Sequence, residues 1–523
     1  MSEEYIYDTV PYLSRAYPAT HIRNLAAIAR LRGMKPAHPG ACRVLELGCA
    51  TGINLFSMAS QYPDSHFTGI DNSSRQIEHA VNIKRQASME NINLLCMDIM
   101  EISRQTGQFD YIIAHGVYSW VPAEVRKRIL AICNECLSPD GVAYISYNVL
   151  PGWHLFGTLR DIMRYHASRL PKDMESGDKV RSATEYLKSL ISILPAENNP
   201  YIFQLRKASE KVIGNETHYL LHEYLAEINQ PFHFHEFMIE CQQSGLQYLG
   251  DATTLGLGIT PYHTSVVDNL NLLSRDLFDF EQHADFLFNR KFRSALLCKE
   301  QASLYPAFSQ ENLDDLYLSS MSRPAALPAD KFGNTVGYQC EDNTYVDPHP
   351  LFQQTMRHLT EIYPDAVTFR ELKQYLKTPK ITTEKIPDAG SDLAARLLRA
   401  RSAGVLNITL DKPHVASRVG KAPKAERFAR TLSMTRTTRE MPTPWHENAG
   451  LDDFILRLLP HLDGTRDESA LIMTMDKALG EDTSLFGVPT PPPPGGPERT
   501  RWIEQNLRRS LEFLRRAGLL VPA

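Results

Sequence analysis

The sequence predicts an α/β protein with a mostly parallel sheet in its first 300 residues and α+β units behind it. Two observations carry this. Between Gly40 and Tyr147, short runs rich in Val, Ile and Leu alternate with stretches of helical period, the pattern of βαβ units. From residue 348 a second order begins, three helical stretches and then one short apolar strand, and residues 450–522 repeat it.

The chain has 523 residues, 43% hydrophobic and 22% charged, with a formal net charge of −5. That composition belongs to an ordinary folded chain with room for several domains, and it carries no basic footprint for nucleic acid. The opening MSEEYIYDTV lacks the basic and apolar regions of a signal peptide. No apolar run approaches the roughly 20 residues that span a bilayer. The eight cysteines are scattered, several in apolar strands where a thiol acts as a small hydrophobe, and a cytoplasmic location is expected. Cys133 and Cys136 form a lone CxxC without a second ligand pair, so no metal is predicted.

Taken in order, residues 43–48 read as a buried strand and 53–62 as a helix with Leu55, Phe56, Met58 and Ala59 on its apolar side. A strand over 66–71 follows, then a helix over 73–88 opened by Asn72 or Ser73. Strands over 93–98 and 109–115, a helix over 122–136 and a strand over 141–147 complete the alternation. Ligands of such sheets bind at the C-terminal ends of the strands.

The stretch VLELGCATG, residues 44–52, sits at one of these ends. Gly48, Cys49, Ala50 and Gly52 let the backbone approach a ligand closely at a helix N-terminus. Asp71 ends the next strand 19 residues after Gly52, where a carboxylate can take both hydroxyls of a ribose. The dinucleotide fingerprint is broken, because Glu46 precedes the first glycine and Ala50 replaces the middle one. A pyrophosphate would be repelled by Glu46, whereas a cationic cofactor would not.

The pattern E-x-G-x-x-x-G, then Asp71, then Asp98 followed by Ile99, resembles the class I S-adenosylmethionine-dependent methyltransferases. The resemblance implies a Rossmann-like sheet of seven strands with the last antiparallel, and S-adenosylmethionine as cofactor. It assigns the methionine moiety and ribose to the loop Gly48, Cys49, Ala50 and Gly52, the ribose to Asp71, and the adenine amino group to Asp98. Glu46, Asn72, Ile99 and His115 complete the expected cofactor set.

The flanks narrow the family. YDTVPYLSRAYPATHIRNLAAIARLRG (7–33), HGVYSWVP (115–122), SYNVLPGWH (146–154), LHEYLAEINQPFHFHEF (221–237) and DFLFNRKFRSALLC (285–298) resemble bacterial methyltransferases with a methyltransferase regulatory domain. The resemblance is strongest over residues 5–300. The best-described members are lysine methyltransferases of outer-membrane proteins, which implies a protein substrate, an outer-membrane or surface protein among the options.

The same flanks suit methyl transfer chemically. Tyr118, Trp120, Tyr147 and Trp153 follow the fourth and fifth strands and are expected to wall an amine channel. Asn148 is the expected acceptor for the nucleophile's N–H. Lysine must lose a proton first, its ordinary pKa being about 10.4. His115 ranks first as helper, ahead of Asp110 and the LHEY and FHFHEF segments, although an apolar channel alone lowers an amine pKa. His233 and His235 lie two apart on a helix and diverge in direction, so they do not form a metal pair.

The expected organisation is a catalytic domain over 1–300, with a helical insert at 152–245 and a second insert at 255–290. A middle domain over 301–411 follows, winged-helix-like from 348, then a basic linker over 412–440 and a winged-helix-like domain over 441–523. Strands six and seven are placed at 245–250 and 294–298. The linker carries eight Lys or Arg against two Glu and reads as solvated, and residues 489–497 as an extended proline-rich loop. The C-terminal units are expected to recognise substrate, and a fragment ending near residue 300 to keep cofactor binding if it stays folded. Two rival functions stand beside protein methylation: methylation of a small molecule or glycan precursor, and a cofactor-sensing regulator reading DNA through exposed Arg396 and Arg399. The net negative charge speaks against the second.

Overall fold

The computed structural model describes residues 14–522 apart from 194, 196–198, 257–263, 306–310, 328–334, 341–342, 378–388, 436–437 and 482–495. Its centre is a seven-stranded sheet. The N-terminal helix α1 (Ile22–Leu31) leads into β1 (Arg43–Leu47), α2 (Ile53–Ala59), β2 (His66–Asp71), α3 (Ser74–Ala87) and β3 (Ile92–Cys96). β4 (Phe109–Ala114), α4 (Ala123–Cys136) and β5 (Leu137–Asn148) follow. The sheet closes with β6 (Leu246–Asp251) and β7 (Phe292–Lys299) in the order β3-β2-β1-β4-β5-β7-β6. β7 runs antiparallel to both neighbours and the other five strands pair in parallel. The order reverses between β1 and β4, which opens a crevice at their C-terminal ends.

Residues 153–243 divide into two parts. Helices α5 (Trp153–Ala167), α6 (Ser176–Ser192) and α7 (Pro200–Ile213) share a core of their own, including Leu159, Met163, Leu187, Leu205 and Leu221. Helix α8 (Phe234–Gln243) instead packs Phe237, Met238 and Cys241 on the sheet with Ile129 and Cys133 of α4. Gly152 shows how tightly the first of these helices is seated: a Cβ there would lie 2.2 Å from the Arg290 carbonyl oxygen.

The segment 285–298 owes its charged residues Asp285, Arg290 and Arg293 to an ion-pair knot. Helices α9 (Thr264–Leu273) and α10 (Leu277–Phe288) precede β7, and Arg293 of β7 is fully buried against α10. Its guanidinium donates to Asp285 at 2.8 and 2.9 Å and to Glu281 at 2.9 Å. Glu236 caps α8 through the His233 N–H, and His235 Nδ1 meets Gln282 at 2.9 Å, so FHFHEF serves α8 and its contact with α10.

The expected solvated linker is corrected. Residues 412–440 contain a short strand, Lys424–Ala425, and helix α11 (Arg427–Thr435), whose Phe428, Ala429 and Leu432 are buried. Phe428 stacks on Phe56 of α2, 5.7 Å between centroids. The eight basic residues masked a helical stripe of apolar ones. The short strand that ends each C-terminal unit finds its partner far upstream: Leu520–Val521 pairs with Lys424–Ala425, and Asn407–Thr409 pairs with Tyr317–Ser319. Most of the proline-rich stretch 489–497 lies outside the described residues; Pro497 opens the helix Pro497–Arg516.

One apolar cluster runs from Val44, Phe56 and Ile83 through Leu25 and Ile28 to Leu397, Phe428, Leu458 and Leu507. Arg23 of α1, almost fully buried, donates to Asp411 at 2.8 Å and to the Pro444 carbonyl at 3.1 Å. The sheet and the C-terminal units therefore share a core, and a cut near residue 300 would uncover this face.

Removing one partner of a buried ion pair strands the other charge. Asp285→Ala should lower unfolding free energy by about 3–5 kcal/mol in chemical denaturation; a loss below about 1 kcal/mol would contradict this account of the knot.

Candidate active site

A cavity of about 710 Å³ fills the crevice between β1 and β4 and continues beneath the helical insert. Its floor is the turn after β1. Gly48, Ala50 and Gly52 all have positive φ, at +71°, +49° and +75°. A Cβ on Gly48 would lie 2.7 Å from Val117 Cγ2, so only glycine fits there. Asp71, at the end of β2, accepts from the Ala50 N–H at 2.8 Å and from the Ser73 N–H at 2.9 Å. The acid thus clamps the glycine turn to the second strand while facing the cavity.

Glu46, Gly48, Cys49, Ala50, Asp71, Asn72, Asp98, Ile99 and His115 all line this cavity, as do Trp120, Asn148 and Trp153. Gly52 does not: it is the N-cap of α2, and a Cβ there would meet Phe56 and Ala80. Tyr118 and Tyr147 are also corrected. Both are fully buried among Phe232 and Phe237, and the Tyr118 hydroxyl donates to Glu240 at 2.5 Å. They pack α8 onto the sheet and do not wall a channel. Asp110 stands at the opposite end of its strand, accepting from the Arg43 N–H at 2.9 Å.

Glu46 is a buried acid under electrostatic stress. It is 4% exposed, and its Oε1 accepts from Asn54 Nδ2 at 2.8 Å while Oε2 is buried with no hydrogen-bond partner. Burial pushes its pKa up to about 8, the Asn54 hydrogen bond opposes this, and the Asp71 charge adds to it. An orphaned carboxylate oxygen in a cavity wall fits a cationic ligand.

The far end of the cavity is aromatic, with Trp153, Phe156, Tyr219, Tyr224 and Phe292. The Trp153 and Tyr224 rings stack at 6.2 Å. Between Thr217–Leu220 and α8 the chain makes a π-helical turn, Leu221–Leu225, an uncommon geometry concentrated at functional sites. It carries Glu223 into the cavity wall, where Asn148 Nδ2 donates to Glu223 Oε1 at 3.3 Å and to Asn229 Oδ1 at 3.0 Å. Burial raises the Glu223 pKa to about 7, against the opposing Asn148 hydrogen bond. His115 moves the other way: burial alone lowers it to about 4, with Nδ1 2.9 Å from the Tyr144 hydroxyl and its ring 3.9 Å from that of Tyr17. It is neutral at physiological pH and a poor proton acceptor.

Tyr17, Asn54, Phe156 and Tyr219 line the cavity without having been singled out. Tyr17 lay within a quoted flank; Asn54 reads as an ordinary polar position in a helix. Among the described residues no group of three His, Cys, Asp or Glu is arranged to hold a metal.

Three family models match the chain: a methyltransferase domain over residues 44–141, a predicted methyltransferase regulatory domain over 216–299, and a PKMT C-terminal winged helix domain over 421–519. The uncharacterized protein RP789 of Rickettsia prowazekii is 32% identical over 480 residues, 89% of this chain and 84% of the relative. The chain belongs to the class I S-adenosylmethionine-dependent methyltransferases with a regulatory domain. The uncharacterized protein RP028 of the same organism is 36% identical over 243 residues, 46% of this chain and 96% of its own. The structure of PKMT2 from Rickettsia typhi aligns with a TM-score of 0.83 at 28% identity, covering 98% of this methyltransferase and 100% of PKMT2. PKMT2 in complex with AdoHcy aligns with a TM-score of 0.82. The cofactor of the methyltransferase is S-adenosylmethionine, and the last matched region makes its C-terminal unit a winged helix.

Asp71 carries the most direct test of the cleft. Asp71→Ala removes charged hydrogen bonds and should weaken S-adenosylhomocysteine by about 2–4 kcal/mol in calorimetric titration. Wild-type affinity would remove Asp71 from the site.

Proposed function

We propose that the methyltransferase methylates lysine side chains of a protein. The observation that carries this reading is the pairing of Glu223 with Asn148 on the aromatic end of the cavity that begins at the glycine turn. S-adenosylmethionine supplies a methyl group already activated by its sulfonium for in-line displacement. We assign its binding to Glu46, Gly48, Cys49, Ala50, Asp71, Asn72, Asp98 and Ile99, with Glu46 facing positive charge. Trp120, Trp153 and Tyr224 exclude water from an incoming amine and favour its cationic form as it gains carbon. Both Asn148 N–H contacts go to Glu223 and Asn229, which leaves its Oδ1 to accept from the amine and aim the lone pair.

Glu223 replaces His115 as the proton acceptor. A carboxyl held near 7 is matched to removing a proton at neutral pH, whereas an imidazole held near 4 is not. We keep His115 as a wall of the cleft beside Tyr17.

The reading follows PKMT2, with which the fold coincides over nearly the whole chain. It takes an outer-membrane or surface protein as the substrate to try first. No helix among the described residues is long and apolar enough to cross a membrane. Cysteines in the thiol form suit the reducing cytoplasm, where we place the reaction. The DNA-reading alternative loses its stripe: Arg396 is paired with Asp347 at 2.6 Å and Asp392 at 2.9 Å. A protein acceptor needs surface beyond the cleft, and we give that role to the units after residue 300.

Incubating the enzyme with radiolabelled cofactor and cell lysate should place label in protein, recovered as methyl-lysine after hydrolysis; label confined to small metabolites would favour the small-molecule rival. With a labelled protein in hand, Glu223→Gln should lower kcat by about 10²–10⁴-fold. The wild-type rate should rise with pH through about 7, as Glu223 loses its own proton, and that step should vanish in the variant. An unchanged rate and profile would remove Glu223 from the mechanism.

A further inference from the structure

The wall of the cofactor cleft is tied to the winged-helix unit by a side chain 392 residues away in sequence from the one it holds. Strands Glu440–Pro442 and Asn448–Gly450 form a hairpin whose tip carries His446, fully buried, with a φ of +64° that a non-glycine residue rarely adopts. The tip is closed by the Thr443 N–H on the Glu447 carbonyl and the His446 N–H on the Thr443 carbonyl, both 2.8 Å. The His446 ring enters the first turn of α2. Nε2 lies 2.7 Å from Asn54 Oδ1 and Nδ1 lies 3.0 Å from Ser57 Oγ.

The roles follow from the bond on the other side. Asn54 Nδ2 donates to Glu46, so its Oδ1 faces His446 and the imidazole donates from Nε2. Nδ1 then accepts from the Ser57 hydroxyl. This is the neutral ring, in keeping with a pKa lowered to about 3 by burial and by Arg23. An amide held by Glu46 alone would be free to turn about its terminal torsion and present its oxygen to the carboxylate. The His446 and Tyr17 N–H groups and the Thr20 hydroxyl, all donating to Oδ1, prevent that turn. The same hairpin grips the arm that carries Tyr17: Asn448 donates to the Ala16 carbonyl at 2.8 Å and accepts from the Ala16 N–H at 3.2 Å.

We propose that His446 is a positioning residue for the cofactor, through which the winged-helix unit sets cofactor affinity by fixing Asn54 against Glu46. The proposal rests on the cofactor assignment and is independent of the methyl acceptor. It gives the C-terminal unit a part in cofactor binding that substrate docking alone would not.

The test is calorimetric titration of S-adenosylhomocysteine into the full chain, with thermal melting to verify folding. His446→Ala should weaken binding about tenfold, the loss expected for one buried hydrogen bond. His446→Gln, whose amide reaches the same acceptor, should recover most of it. In a Glu46→Gln background, where the carboxylate is gone, His446→Ala should change affinity by less than about twofold, because coupled residues are not additive. Equal weakening in both backgrounds would make His446 a mere brace, and no weakening in either would remove it; each overturns the proposal. Should His446→Ala not fold, Ser57→Ala, which releases the other ring nitrogen, takes its place in the same comparison with the same outcomes.

Discussion

A carboxylate at the end of β1 has to be buried if the turn after it is to approach a ligand, and burying a charge is costly unless it is paired. Glu46, in the cavity wall, is held on one oxygen by Asn54, and its other oxygen is buried with no hydrogen-bond partner. In our reading much of the surrounding architecture serves that arrangement. Asp71 clamps the glycine turn, Asn54 projects from the first turn of α2, and Asn54 is in turn held by Tyr17 from the N-terminal arm and His446 from the winged helix. A site built this way has its side chains in place before the cofactor arrives, and binding has only to ionise the Glu46 carboxyl.

The helical insert supplies the complementary half. Its own core, around Leu159, Leu187 and Leu205, lets it sit over the strand ends as a separate body. The π-helical turn shifts register just where Glu223 must face inward. Burial raises the Glu223 pKa to about 7 against the Asn148 hydrogen bond and the Arg160 charge, which is the property a proton acceptor for an amine needs.

The sheet was legible because strand and helix periods differ and each strand end carries a marker: Gly48 after β1, Asp71 after β2, Asp98 beyond β3. What local patterns could not give was direction. Tyr118 and Tyr147 stand in the right segments, yet their side chains fall on the face that packs α8. Glu223 was visible only as part of LHEY, since a π turn obeys neither helical nor strand period. Asn54 and His446 were silent, because their meaning lies in a contact across 392 positions. The basic stretch 412–440 misled for a related reason: its charge count hid Phe428 and Leu432, whose partners are on α2 and in the shared core.

The claim that Glu46 prepares the cleft for a cation has a signature in protons. Its carboxyl, held near 8 in the ligand-free protein, should ionise against the cofactor's ammonium group, so affinity should rise between pH 6 and 8. Titrating S-adenosylhomocysteine at pH 7 in buffers of different ionisation enthalpy counts the protons released. The account predicts close to one proton per site in the wild type and almost none in Glu46→Gln; equal release from both, or none from the wild type, would contradict it.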